Sequence, residues 1–156
     1  MNAANLARAK ELLQAFPERS SAMIPILHLV EGEFGCIPED EKACVASLMQ
    51  CRTAEVEAVL SFYTLFHRQP RGRTLVQVCR GLSCHLCGSD DLARSLYLRL
   101  GVGRDETTSD GRFTVEEVEC LALCKDAPVL QVNLEYRPRA TEADLERLVA
   151  GVPADA

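Results

Sequence analysis

The first 66 residues follow a helical pattern of apolar and polar positions. Apolar residues recur three or four positions apart in four successive segments, as expected of helices that each bury one face. They include Leu6, Leu12, Leu13, Ile24, Leu27, Val30, Val45, Leu48, Val56 and Leu60. The residues that we expect to begin or end these helices are Pro17, Ser20 or Ser21, Gly35, Pro38 and Thr53. The pattern predicts a small helical bundle.

The pattern changes after the short polar stretch 67–73, which reads HRQPRGR and has the composition of a linker. Two short runs typical of β-strands follow, at 75–78 and 129–132, and between them an amphipathic helix should open at Ser89. Thr141 and Asp144 have the spacing of a capping box for a last helix. We therefore predict an α+β chain, with a helical bundle over 1–70 and an α/β domain over 71–156.

Charge and hydropathy exclude several classes of function. The net charge of −6 provides no broad positive field for nucleic acid. No apolar run approaches the roughly 20 residues that a membrane-spanning helix needs, and the amphipathic first 15 residues lack the apolar core of a signal peptide. We expect a cytoplasmic protein, free or as a peripheral part of a membrane-associated complex.

Eight cysteines are the most informative feature of the composition. Because the cytosol keeps thiols reduced, metal binding or redox chemistry explains them better than disulfides. Cys79, Cys84, Cys120 and Cys124 fall in loops that follow β-type runs, where thiolates suit an iron–sulfur cluster. A [2Fe–2S] cluster takes two ligands per iron, and these cysteines form one C-x4-C pair and one C-x3-C pair.

Three other assignments use some of the same cysteines. Cys79, Cys84 and Cys87 also have the C-x4-C-x2-C spacing of plant-type ferredoxins, although a helical half precedes them here. Four thiolates could instead hold a structural zinc ion. The CHLC sequence, which contains His85, has the form of a redox-active dithiol, although it does not directly open a helix.

The remaining conspicuous residues have simpler interpretations. Buried thiols behave as small apolar groups, so we expect Cys36, Cys44 and Cys51 to pack in the helical half, the alternative being a second metal site. We interpret His28 and His67 as structural and His85 as an exposed loop residue next to a proposed ligand. The alternative for His85 is a hydrogen bond to a cluster sulfur or a proton transfer coupled to reduction. The aromatic residues Phe62, Tyr63 and Phe66 occur at helical spacing and should be core residues, or else a patch for a partner.

Several longer stretches of the chain resemble one family. They are LHLVEGEFGCIPE (27–39), SFYTLFHRQPRGR (61–73), VCRGLSC (78–84), DGRFTVEEVECLALC (110–124) and DAPVLQVN (126–133). Together they resemble the small [2Fe–2S] subunit of the NADH-oxidising module of respiratory complex I, which NAD-linked hydrogenases and formate dehydrogenases share. The resemblance extends over most of the chain.

The resemblance implies a thioredoxin-like ferredoxin domain after the helical bundle, with the cluster on Cys79, Cys84, Cys120 and Cys124. It also implies a partner, a flavin-bearing subunit that oxidises NADH, and further iron–sulfur subunits. The sequence lacks GxGxxG and P-loop motifs, so FMN and NAD(P) should bind to the partner only. Two positions depart from the family pattern. Ala122 replaces a usual Gly, and Arg80, which replaces a usual Thr, adds a positive charge near the cluster.

Two functions follow as hypotheses. The first is electron transfer by a subunit of a multi-subunit NAD(P)H-linked oxidoreductase, without catalysis by the isolated chain. The alternative is a free-standing redox-sensing or regulatory module, in which a cluster or a dithiol changes state. The helical half contains no recognisable effector or DNA-binding element, which favours the first. We expect Arg68, Arg71 and Arg73, with the aromatic residues, to take part in docking.

Overall fold

The computed structural model describes residues 1–151 and divides the chain into two units, Met1–Pro70 and a second that begins at Arg71. No helix among these residues is long and apolar enough to cross a membrane. The prediction of an α+β fold with a helical N-terminal half is confirmed, and each unit has its own apolar core.

The first unit consists of four helices. They are α1 (Ala3–Ala15), α2 (Met23–Phe34), α3 (Glu39–Met49) and α4 (Thr53–Phe62), with a 3-10 turn at Arg19–Ala22. Their buried apolar side chains form one core, which includes Ile26, Leu27, Val30, Val45, Val56 and Leu60, together with Ile37 between α2 and α3. The apolar positions predicted from the helical period therefore form the buried face of each helix from α2 to α4.

Several predicted helix ends are correct and others are displaced. Gly35 ends α2 in the left-handed conformation with φ of 72°, as only glycine does without strain. Ser20 and Ser21 do not cap α2, because they lie inside the 3-10 turn and Ala22 precedes the helix instead. Arg52, not Thr53, is the N-cap of α4, and its backbone N–H donates to the side chain of Glu55.

The second unit is a five-stranded sheet with helices. In chain order it contains β1 (Thr74–Cys79), α5 (Leu82–Leu86), α6 (Ser89–Leu100), β2 (Glu106–Thr107), β3 (Phe113–Val118), β4 (Leu130–Val132), β5 (Glu135–Arg137) and α7 (Glu142–Gly151). The strand order is β2-β3-β1-β4-β5; β1 and β3 are parallel, and the other neighbours are antiparallel. Helices α6 and α7 pack together, and their apolar residues join those of the sheet in one core.

Local chemistry explains the boundaries of these elements. Gly101 ends α6 with φ of 64°, and the side chains and backbone N–H groups of Thr141 and Asp144 form the predicted capping box at α7. Gly72 approaches β3 so closely that a Cβ atom would lie 2.6 Å from the backbone of Phe113. Its N–H donates to the hydroxyl of Thr114, so the predicted linker ends in a fixed contact with the sheet.

Candidate metal centre

The first cysteine pair lies where β1 ends. Cys79 is the last residue of that strand, and Cys84 lies in the short helix α5 that follows; both are 2% exposed. The backbone N–H of Cys79 donates to the carbonyl of Val129, which ties the strand end to the segment before β4. Two sulfurs are thus held inside the protein at the carboxyl end of a central strand.

The second pair comes from the loop after β3. Cys120 lies two residues beyond the strand and Cys124 opens a 3-10 turn, and both are exposed. Because β1 and β3 are parallel neighbours, with Cys79 opposite Val118, the loops that follow them meet at the same edge of the sheet. Helix α5, which carries Cys84, packs against the turn that begins at Cys124.

Gly81 marks the point where the two segments meet. A Cβ atom at this glycine would lie 3.5 Å from the sulfur of Cys79 and 3.6 Å from that of Cys120. The sulfurs of residues 41 positions apart in the sequence therefore border the same small space. The structure brings all four predicted cysteines to one edge, with one pair buried and one pair exposed.

The surroundings of Cys84 favour its protonated thiol in the metal-free chain. Burial, followed by the side-chain hydrogen bond with Cys79, raises the pKa of Cys84 to about 11, while a backbone hydrogen bond with Val129 opposes the shift. Metal ligation requires thiolates, so binding here must release protons. The bound group must therefore stabilise the thiolate of Cys84 by more than the free energy that its deprotonation costs in the buried site.

The donor set is suited to a two-iron cluster. Among residues 1–151, no three His, Cys, Asp or Glu side chains converge closely enough to hold one metal ion. A structural zinc ion would need four donors about one point, whereas a [2Fe–2S] group spreads two donor pairs over two irons. Two thiol pairs on two converging loops match the second arrangement.

Ala122, between the exposed cysteines, has an unusual backbone. Its φ is 59°, in the left-handed region that favours glycine, and its N–H points at the sulfur of Cys120 with a distance of 3.3 Å. Hydrogen bonds from backbone N–H groups to ligand sulfurs stabilise the negative charge of iron–sulfur clusters. The position where the sequence departs from glycine is thus one where the backbone adopts a conformation natural to glycine.

Arg80, directly after Cys79, is paired with a carboxylate. Its Nε lies 2.8 Å from Glu117 of β3, and the same carboxylate accepts a hydrogen bond of 2.6 Å from Tyr97. Arg104 lies 3.6 Å from it. Burial and this hydrogen bond raise the pKa of Tyr97. The extra positive charge that the sequence places beside the site is therefore neutralised, which sequence reasoning did not foresee.

The other cysteines lie apart from this pattern or at its margin. Cys87 follows α5, is exposed, and donates its N–H to the carbonyls of Ser83 and Cys84. In the first unit Cys36 is buried and Cys51 partly buried, as expected of packing residues. Cys44 is exposed, so the prediction that it faces inward is wrong.

Some of the histidines and aromatic residues lie as the sequence predicts, and others do not. His67 is buried and its Nδ1 lies 2.9 Å from Glu31, in agreement with a structural role. His85 is exposed, with Nδ1 3.1 Å from Asp90, although it lies in a helix and not in a loop. Phe66 is a core residue, but Phe62 is 78% exposed, so the prediction of a core role fails there.

Comparison with known proteins identifies a family that matches this chain. The profile of the thioredoxin-like [2Fe-2S] ferredoxins matches residues 9–153. The chain belongs to this family. Its membership confirms the predicted [2Fe–2S] cofactor and the thioredoxin-like fold of the second half. The ligand residues themselves remain a prediction from spacing, resemblance and the convergence of the loops.

Two relatives with known names are similar to this chain over most of its length. One NADH-quinone oxidoreductase subunit, from Mycobacterium tuberculosis, is 42% identical over 147 residues, which cover 94% of this chain and 58% of the relative. Another NADH-quinone oxidoreductase subunit, from Rhizobium meliloti, is 40% identical over 134 residues, covering 86% of this chain and 80% of the relative. This chain therefore spans less than two thirds of the mycobacterial protein.

A solved structure shows the same fold in a longer chain. The NAD+-reducing [NiFe]-hydrogenase in its air-oxidised state matches with a TM-score of 0.71 and 22% identity, over 90% of this chain and 25% of the hydrogenase chain. At this identity the match concerns the fold alone.

Proposed function

We propose that this chain holds one [2Fe–2S] cluster through Cys79, Cys84, Cys120 and Cys124 and transfers electrons as a subunit of an NAD(P)H-linked oxidoreductase. The observation that carries the proposal is the convergence of two cysteine pairs at one sheet edge, in a member of a [2Fe-2S] ferredoxin family. The names of the relatives, NADH-quinone oxidoreductase subunits, support the NADH-linked part.

The bound cluster would supply a one-electron redox centre. Cys79 and Cys84 would hold one side of it away from water, and Cys120 and Cys124 would hold the side that faces solvent. The N–H of Ala122 would stabilise charge on the sulfur of Cys120. One exposed side gives an electron a short route in and out.

The proposed ligand set is tested by single cysteine substitutions. Cys79→Ser, Cys84→Ser, Cys120→Ser and Cys124→Ser should each lose the cluster or change its absorbance and EPR spectra severely. Cys87→Ser and Cys44→Ser are matched controls with exposed thiols and should retain the wild-type spectra. Loss of the cluster in Cys87→Ser, with retention in Cys120→Ser or Cys124→Ser, would instead favour the plant-type ligand set.

The proposed partner is a flavin-bearing subunit that oxidises NADH and carries FMN and NAD(P). The isolated chain should not oxidise NADH, whereas the flavin-bearing subunit from the same organism, mixed with NADH, should bleach the cluster absorbance in stopped-flow experiments. NADH oxidation by the isolated chain at about 1–1,000 per second would contradict the subunit proposal. A cluster that the flavin-bearing subunit never reduces would favour the redox-sensing alternative.

A further inference from the structure

The four proposed ligands differ in their access to solvent. Both members of the buried pair, Cys79 and Cys84, are 2% exposed, whereas both members of the exposed pair, Cys120 and Cys124, are open to solvent. A thiol reacts with a partner in solution when its sulfur is accessible, and a buried thiol is inert. We propose that the exposed pair takes up an incoming [2Fe–2S] cluster first and that the buried pair binds second, an inference that rests on the proposed function.

The loop CLALC (120–124) alternates between exposed and partly buried positions. Its two cysteines and the alanine between them are exposed, and Leu121 and Leu123 are partly buried. Both leucines pack against a small core that the buried pair forms with Val129. The loop thus presents two thiols to solvent, while its leucines rest on the other two thiols.

The exposed pair lies close enough to the buried pair to pass a cluster on. A Cβ atom at Gly81 would lie 3.5 Å from the sulfur of Cys79 and 3.6 Å from that of Cys120. Helix α5, which carries Cys84, packs against the turn Cys124–Asp126. A cluster held by the exposed pair therefore needs only a local shift of the loop, in which the leucines move aside, to reach the remaining two thiols.

A donor that holds its cluster through thiolates fits this arrangement. Each exchange forms a bond between iron and a cysteine sulfur of this chain and breaks the bond between that iron and a donor sulfur. The proton of the cysteine thiol passes to the released donor thiolate, and the oxidation states of the irons stay unchanged. The exchange therefore needs no oxidant or reductant. It has to begin at the exposed pair, because the thiols of the other pair are buried.

The test follows cluster transfer from the glutathione-ligated [2Fe–2S] complex to the reduced, cluster-free full chain in a stopped-flow instrument. Absorbance and visible circular dichroism of wild type should show a first phase whose rate increases with donor concentration and a second phase that is independent of it. Cys79→Ser with Cys84→Ser should retain the first phase and lose the second. Cys120→Ser with Cys124→Ser should slow the first phase about tenfold or more, because the proposed ligands that remain are buried.

Two further variants keep all four proposed ligands. Cys87→Ser removes another exposed thiol of the same unit and should match wild type in both phases. Leu123→Ala weakens the contact between the loop and the buried pair. It should leave the first phase unchanged and speed the second about threefold or more. This variant tests the order even if far-ultraviolet circular dichroism shows that a double cysteine variant does not fold.

The results distinguish failure of this inference from failure of the proposed function. A first phase that is lost equally in both double variants, or lost in Cys87→Ser, would overturn the proposed order. A single phase in wild type, or a Leu123→Ala variant in which the second phase is not faster, would also overturn it. A folded, reduced wild-type chain that takes up no cluster at all would instead refute the proposed function.

Discussion

At the scale of single residues, Ala122 combines a backbone cost with a chemical benefit. At φ of 59° alanine is less favourable than glycine by about 1–2 kcal/mol. A substituted glycine would regain only part of this free energy, because it also makes the unfolded chain more flexible. The same conformation directs an N–H to the sulfur of Cys120. Loop geometry at the site is thus maintained against the local preference of the residue.

We predict opposite effects for two substitutions at this position. Ala122→Gly should leave the free energy of unfolding unchanged or raise it by up to about 1 kcal/mol, because it relieves the left-handed strain. Ala122→Val should lower it by about 1 kcal/mol or more, since a β-branched residue tolerates positive φ poorly. Urea unfolding of the cluster-containing proteins measures both. Equal stability of the two variants would show that the backbone here is not strained.

The pair of Arg80 and Glu117 leads to a second prediction. Glu117→Gln retains a hydrogen-bond acceptor for Tyr97 but leaves the charge of Arg80 without its closest partner. An uncompensated positive charge favours the reduced, more negative cluster, so the reduction potential should rise. Spectroelectrochemical titration measures it. Glu146→Gln, which removes a partner of Arg99 on the surface of the same unit, should leave the potential at its wild-type value.

These residues show what the sequence could and could not predict. Cysteine spacing identified the four sulfurs that the structure brings to one edge, because the spacing within each cysteine pair is encoded locally. The neutralising role of Glu117 depends on the register of β1 against β3, which spacing does not reveal. The left-handed backbone at Ala122 was foreseen only as a departure from glycine, since alanine gives no turn signal of its own.

At the scale of secondary structure, long periodic segments were predictable and short ones were not. The four helices of the first unit and the helices α6 and α7 all follow from their apolar periodicity. Helix α5 has five residues, too few for a periodic pattern. Strand β3 reads FTVEEV, in which two consecutive glutamates break the alternation of apolar and polar positions. Both missed elements position the cysteine site.

Helices α3 and α4 are joined by a buried lysine that the pattern did not indicate. Lys42 is 7% exposed, and its ammonium lies 2.8 Å from Glu39 and 2.9 Å from Glu57 of α4. The hydrogen bond from Lys42 lowers the pKa of Glu57, and Arg68 contributes in the same direction. The ionised carboxylate therefore stabilises the folded state more than the protonated form does.

We predict that Glu57→Gln destabilises the protein at neutral pH by no more than about 1 kcal/mol, because the Glu57 side chain is 41% exposed and water screens it. A lowered folded pKa means that this stability is present above the ordinary glutamate pKa of about 4.3 and is lost as the pH falls below it. Thermal unfolding followed by circular dichroism should show the two proteins converging at acid pH. Glu11→Gln, on an exposed surface pair, is the control and should match wild type throughout.

At the scale of the whole molecule, the four cysteines and their supporting elements all belong to the second unit. The two units have separate apolar cores, and the proposed ligands and α5 all follow Arg71. We propose that 1–70 and 71–156 are separate domains, and we predict that 71–156 expressed alone binds the cluster with the absorbance spectrum of the full chain. A fragment that unfolds, or folds without binding iron, would show that the cluster domain requires the helical unit.

The most direct test of the account is the metal content and EPR spectrum of the full chain purified without oxygen. If the two cysteine pairs hold a [2Fe–2S] cluster, the protein should contain about two iron and two sulfide ions per chain. On one-electron reduction it should give the rhombic or axial EPR signal of such a cluster, and Cys120→Ser should lose or severely alter that signal. Stoichiometric zinc without sulfide, or an iron site that Cys120→Ser leaves unchanged, would contradict the account.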